Sequence, residues 1–178
     1  MKLHLGCGKR YLNGYIHIDK ANYDHIDYIS SVDTLDMIED DSCELVYASH
    51  VLEYFDRNEV QFVLSEWQRV LKKNGILRIA VPDFKSLVKI YGDTKELNNI
   101  IGPLYGRWDT SKEVIYHKTV YDEVSLTKVL EAAGFSNIEK WDWSKVFSNE
   151  YDDHSQAYFP HMDKKSGIHV SLNIQCSK

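Results

Sequence analysis

Only nine residues, Gly6 to Gly14, separate the apolar run Lys2–Leu5 from the next one, Tyr15–Ile18. A full helical crossover between parallel strands needs a connection of about 10–12 residues. The chain therefore begins as strand, glycine turn and strand, with room for one helical turn at most. Further short apolar runs at Glu44–Ala48, Ile76–Val81, Asn137–Trp141 and Ile168–Cys176 alternate with helical periodicity, and a shorter one falls at Ile26–Ile29. That alternation predicts an α/β architecture with a mostly parallel sheet.

Two helices are legible. Asp56 and Glu59 have the spacing of a capping box, and Phe55 and Val60 that of a hydrophobic staple. Val60, Val63, Leu64, Trp67, Val70 and Leu71 then recur on one helical face. Lys72 and Lys73 suit the negative end of the helix dipole, and Gly75 suits a left-handed stop. The second helix starts at Asp122, turns Leu126, Val129, Leu130 and Ala133 inward, and ends at Gly134.

Composition narrows the function classes. A chain of 178 residues, 43% hydrophobic and 27% charged, has the balance of one globular domain, residues 1–178. No apolar run reaches the roughly 20 residues that span a bilayer, so no membrane partner is expected. The glycine turn at residue 6 leaves no room for a signal peptide, and a cytoplasmic location is expected. A net charge of −6 speaks against a nucleic-acid partner, which calls for a basic face. Cys7, Cys43 and Cys176 form no C-x-x-C pair and fit neither a disulfide framework nor a zinc ribbon. The oligomeric state is not legible.

Gly6 and Gly8 follow the first strand and let the backbone approach a ligand closely. Asp19 ends the second strand, where a carboxylate can accept hydrogen bonds from ribose hydroxyls. The dinucleotide motif G-x-G-x-x-G would need glycine where Tyr11 stands, and the helix whose N-terminus would hold a pyrophosphate has no room. A nucleoside ligand without a diphosphate fits better, and S-adenosylmethionine is one.

Three stretches carry a family resemblance: Leu3-His4-Leu5-Gly6-Cys7-Gly8, Gly14-Tyr15-Ile16-His17-Ile18-Asp19 and Val46-Tyr47-Ala48-Ser49-His50-Val51-Leu52-Glu53. With Trp67–Asp83, His117-Lys118-Thr119 and Glu131-Ala132-Ala133-Gly134-Phe135, they resemble the class I S-adenosylmethionine-dependent methyltransferases through most of residues 2–135. They are closer still to a group of small methyltransferases associated with bacterial surface-polysaccharide modification. The resemblance implies a doubly wound Rossmann-like sheet with an antiparallel last strand. It implies Gly6, Cys7 and Gly8 at the methionine end of the cofactor, Asp19 on the ribose, Asp33 and Thr34 by the adenine, and Ser49 and His50 beside the cofactor, facing the acceptor. The chain departs from the pattern in three places. His4 replaces the usual acidic residue two before the first glycine, Arg10 fills the third glycine position, and the first crossover helix is cut short.

Methyl transfer from a sulfonium needs alignment of acceptor, methyl and sulfur, and a base only for a hydroxyl or protonated amine. His50 and His117 are the candidate catalytic residues. Asp83, Arg107 and Tyr158 are candidates for the acceptor side, where an arginine would suit an anionic group. The tail contains His154, His161 and several aspartates but no tight ligand spacing, so no metal is expected. Residues 144–167 read instead as a lid or substrate loop. The expected reaction is methylation of a small-molecule acceptor, an oxygen of a capsule-type sugar or phosphate-like precursor. The alternatives are an inactive protein that keeps the cofactor fold, an NAD-dependent oxidoreductase, and a metal-dependent hydrolase built on the tail.

Overall fold

A computed structural model describes residues 1–110, 113–148 and 150–178. Seven strands form the central sheet. They are β1 (Lys2–Leu5), β2 (Ile16–Asp19), β3 (Tyr28–Ile29), β4 (Cys43–Ser49), β5 (Leu71–Pro82), β8 (Ser136–Lys140) and β11 (Ser171–Ser177), in the spatial order β3-β2-β1-β4-β5-β11-β8. The pairs among β3, β2, β1, β4 and β5 are parallel, and β11 runs antiparallel between β5 and β8. The expected α/β sheet with an antiparallel last strand is therefore present. Two short hairpins lie outside it: β6 (Trp108–Asp109) with β7 (Val114–Ile115), and β9 (Tyr158–Phe159) with β10 (Ile168–His169).

Helix α1 (Val60–Val70) forms where its periodicity predicts, with Val60, Val63, Leu64, Trp67 and Val70 buried. The capping box is made: Glu59 N donates to the Asp56 carboxylate at 3.2 Å, and Asp56 N to the Glu59 carboxylate at 2.9 Å. Trp67 is fully buried and donates its indole N–H to Val32 O at 2.8 Å, so its one polar atom is satisfied. Each such side chain contributes roughly 1.5–3 kcal/mol through burial.

The end of α1 differs from expectation. The helix stops at Val70, Leu71 is already extended, and the left-handed residue is Asn74 (φ 63°), not Gly75. Leu71 pairs with Cys43 of β4, so the chain enters the sheet at once and bulges over the next residues. Glycine is still required at 75, because a Cβ there would lie 2.8 Å from Lys72 O and 3.0 Å from Cys43 O.

Helix α4 (Glu123–Ala132) starts and stops as expected, capped reciprocally by Asp122 and Ser125 and ended by Gly134 at φ 86°. Helices α2 (Phe84–Thr94) and α3 (Asn98–Tyr105) were not legible in the sequence. Phe84, Val88 and Tyr91 of α2 and Ile101 and Tyr105 of α3 are exposed while Leu87, Ile90 and Ile100 are buried, so apolar residues lie on both sides of these helices. A last short helix, α5 (Trp143–Val146), follows β8.

Candidate functional site

The link between β1 and β2 contains no helix, and side chains take over the work of satisfying its backbone. Asp19, at the end of β2, accepts from Gly8 N on one carboxylate oxygen and from Ala21 N on the other, both at 2.8 Å. His17 Nε2 accepts from Leu12 N at 2.9 Å. Together with backbone bonds from Gly6 N to Ile18 O, Arg10 N to Cys7 O and Tyr15 N to Leu12 O, these contacts hold the loop against the strand tips. Gly6 and Gly8 sit at φ 59° and 54°. A Cβ on Gly6 would meet Val51 Cγ2 at 2.5 Å, so the turn has no space for a side chain.

Above the C-terminal ends of β1, β2 and β4 lies a cleft of about 220 Å³, where open α/β sheets bind ligands. Six of the expected residues line it: Gly6, Cys7, Gly8, Asp19, Ser49 and His50. Asp33 and Thr34 do not, although Val32 between β3 and α1 does. Asp33 instead accepts a hydrogen bond from Ser31, and Thr34 is exposed.

The residues expected on the acceptor side are elsewhere. Asp83 caps α2, accepting from Lys85 N and Ser86 Oγ. Arg107 is exposed and Tyr158 stacks on His169, and neither lines the cleft. Asp153, His154 and Trp108, which the sequence placed in a lid segment and an aromatic stretch without naming them as site residues, also line it. Asp153 and His154 reach it only because the tail folds back over β4: buried Asp153 accepts from Tyr47 Oη at 2.5 Å and Tyr151 Oη at 2.9 Å. Trp108 comes from the β6–β7 hairpin and stands 3.6 Å from where a Cβ on Gly8 would be.

The two candidate histidines are not equivalent. His50 (φ 54°) follows β4 and lines the cleft, with Nε2 3.1 Å from Ser171 Oγ and Nδ1 3.6 Å from Glu53 Oε1. His117 lies behind that wall. Its Nδ1 is 3.1 Å from Pro103 O, its Nε2 is 3.6 Å from the same Glu53 oxygen, and Tyr54 packs edge-on against its ring. Burial lowers the pKa of both imidazoles and keeps them neutral near pH 7. The Cys7 thiol is pushed up to about 12, first by burial and then by Asp19, so it lines the cleft as a thiol and not as a nucleophile.

The cleft fits S-adenosylmethionine. Each Asp19 oxygen keeps a lone pair for a ribose hydroxyl. Among the described residues Ser49 Oγ has no hydrogen-bond partner, which leaves a buried polar group on the wall for a ligand. Val32, Val51, Phe55 and Trp108 supply apolar surface for a nucleoside. His4, standing where an acidic residue is usual, is buried with Nδ1 unpartnered, and burial with His17 and His25 nearby lowers its pKa to about 3. A neutral imidazole thus replaces a carboxylate at that wall.

Residues 15–79 match the model of a methyltransferase domain. No curated protein matches the chain in sequence. Among solved structures, the chain is similar to a methyltransferase of Thermotoga maritima described as a possible histamine N-methyltransferase, at 15% identity and TM-score 0.62, over 99% of this chain and 81% of that one. It is also similar to an S-adenosylmethionine-dependent methyltransferase of Archaeoglobus fulgidus, at 18% identity and TM-score 0.58, over 99% and 85%. A third is the 1,6-didemethyltoxoflavin-N1-methyltransferase of Burkholderia thailandensis, solved with S-adenosylhomocysteine, at 12% identity and TM-score 0.57, over 99% and 70%. Residues 15–79 are thus similar to a methyltransferase domain, and the whole chain has a fold that S-adenosylmethionine-dependent methyltransferases adopt.

Proposed function

We propose that this chain transfers a methyl group to an oxygen of a small, anionic acceptor, such as a capsule-type sugar or phosphate-like precursor. The observation that carries the reading is the makeup of the cleft. Gly6, Gly8, Asp19 and Ser49 form a nucleoside-binding wall, and Lys9, Arg10 and Lys20 supply three cations at the same opening. An anionic acceptor would be drawn to those cations.

Bound S-adenosylmethionine supplies an electrophilic methyl group on a sulfonium. The protein's own task is alignment. Asp19 fixes the ribose, the glycine turn lets the backbone close on the methionine end, and His50 with Ser49 forms the wall beside the acceptor. His154, whose ring lies 5.2 Å from that of His50, stands at the cleft as the imidazole able to take an acceptor proton. The segment 144–167, which includes residue 149 outside the described residues, acts as the cover on the acceptor side. Its support is that Asp153 and His154 line the cleft and that Tyr47 and Tyr151 anchor Asp153.

Titration calorimetry with S-adenosylhomocysteine, paired with a methyl-release assay on sugar phosphates, neutral sugars and amines, tests this. Binding with turnover on the anionic oxygen acceptors is expected. Binding without turnover on any acceptor would point to an inactive cofactor-fold protein, and tight NADH binding without response to S-adenosylmethionine to an oxidoreductase.

A further inference from the structure

Glu53 is fully buried, and among the described residues neither of its carboxylate oxygens has a hydrogen-bond partner on another residue. It lies in the one-turn helix Leu52–Tyr54, just after the cleft residue His50. Two hydrogen-bond chains, each anchored on a backbone carbonyl, end at imidazole nitrogens that stand 3.6 Å from Glu53 Oε1. A carbonyl can only accept, so with both imidazoles kept neutral by burial the proton positions along both chains are determined.

In the first chain, Asn173 Nδ2 donates to Ser155 O at 2.9 Å, which leaves Asn173 Oδ1 as acceptor. Ser171 Oγ therefore donates to Asn173 Oδ1 at 2.8 Å. With that hydrogen committed, Ser171 Oγ accepts from His50 Nε2 at 3.1 Å. His50 Nδ1 is then a bare lone pair, 3.6 Å from Glu53 Oε1. In the second chain, His117 Nδ1 donates to Pro103 O at 3.1 Å, and the neutral ring presents the lone pair of Nε2, also 3.6 Å from Glu53 Oε1.

Two lone pairs thus converge on one carboxyl oxygen. An ionised Glu53 would face both lone pairs with its own backbone N–H as donor and no cation beside it, and would be a poorly compensated buried charge. A protonated Glu53 has the single hydrogen that either imidazole can accept. We propose that Glu53 is a neutral carboxylic acid at neutral pH, that its proton is offered to His50 Nδ1 and His117 Nε2, and that it is thereby the positioning residue that holds His50 in the cleft wall.

The surroundings agree. The titratable groups facing Glu53 are His50, His117, Tyr54 and Tyr121, with His154 beyond His50. Among the described residues no Lys or Arg forms an ion pair with it, and Lys118, whose backbone N–H donates to Glu53 O, sends its ammonium to Glu59 instead. Burial pushes the Glu53 pKa up to about 8. The role in the cleft rests on the methyltransferase reading, whereas the protonation state does not.

The experiment uses the full chain with carboxyl-13C glutamate and imidazole-15N histidine, in wild type and Glu53→Gln. One glutamate carboxyl resonance, absent from Glu53→Gln, should titrate near pH 8, with His50 as the Nε2–H tautomer and His117 as the Nδ1–H tautomer at pH 7. A resonance titrating in the ordinary glutamate range overturns the proposal, as does the opposite tautomer of either histidine. The tautomers are read in wild type and decide the matter even if the variant does not fold. Calorimetry with S-adenosylhomocysteine then tests positioning. Wild-type affinity should fall about tenfold per pH unit above pH 8, as for any step that requires one protonated group. Glu53→Gln, whose amide N–H can replace the acid's donor, should bind like wild type at pH 7 and show no such fall. Loss of binding in Glu53→Gln at pH 7 would refute the positioning role. Failure of wild type to bind at any pH would sink the methyltransferase reading and the positioning role together, with the NMR titration still deciding the neutral acid.

Discussion

Tyr47 and Asp153 lie 106 positions apart in the sequence, yet the phenol of the first donates to the carboxylate of the second at 2.5 Å. Both are buried, and Asp153 also accepts from Tyr151 Oη and from the backbone and hydroxyl of Ser155. This contact ties the C-terminal segment to β4 and brings His154 to the cleft. Tyr47→Phe should lower unfolding stability by about 1–3 kcal/mol, the usual cost of removing one partner from a buried polar group. Urea denaturation reads that loss, and hydrogen exchange should show faster opening at residues 150–157 than in β4. Unchanged exchange there would mean the tail is held by other contacts.

Asp19→Ala should weaken S-adenosylhomocysteine binding by about 1–3 kcal/mol in titration calorimetry, through lost ribose hydrogen bonds and the freed N–H groups of Gly8 and Ala21. Wild-type affinity in this variant would take Asp19 out of the site.

Gly6→Ala combines a left-handed backbone (φ 59°) with a methyl 2.5 Å from Val51 Cγ2. Backbone strain of this kind costs roughly 1–3 kcal/mol, and the clash adds to it. Thermal unfolding should show the loss, and adding Val51→Ala should recover the steric part only. No recovery in the double variant would locate the damage in the backbone alone.

His4 gives a pH prediction with a definite sign. Its pKa is lowered from 6.5 in the unfolded chain to about 3 in the fold, so the unfolded state binds the extra proton between those values. Its contribution is present above pH 6.5 and is lost as pH falls toward 3, at about 1.4 kcal/mol per pH unit. His4→Phe keeps a ring against Tyr47, whose centroid lies 5.2 Å away, and removes the titration. Its stability should therefore vary less with pH than that of wild type across pH 4–6.5 in urea melts. Parallel curves for the two proteins would assign the acid sensitivity to other groups.

His154→Ala should leave S-adenosylhomocysteine affinity near wild type and lower turnover, if that imidazole takes the acceptor proton. A loss of about 10²–10⁴-fold is the scale for a general base. Equal turnover in the variant would leave the acceptor proton to solvent.

The core elements were legible because their side chains face one environment. The buried stripe of α1 repeats a helical period, the Asp122 cap is a local signal, and β1 and β4 are short apolar runs buried almost throughout. Helices α2 and α3 were not, since much of their apolar surface faces solvent. Gly75 suggested the end of a helix, but the pairing of Leu71 with Cys43 ended it first and moved the left-handed residue to Asn74. A sheet contact outweighed a local signal there.

The sequence by itself determined the strand–glycine–strand opening, the missing crossover helix and the placing of Asp19 at the end of the second strand. Each depends on spacing over fewer than about 20 residues, and backbone geometry limits what such a span can do. Only the tertiary structure decided which histidines share a wall, that Asp153 and His154 return to the cleft, and that Glu53 sits between two imidazoles. Those relations depend on the packing of elements tens of residues apart, and no local period records them. The protonation of Glu53 is the clearest case: it follows from two carbonyls, Ser155 O and Pro103 O, that only the folded chain brings to bear on one carboxyl group.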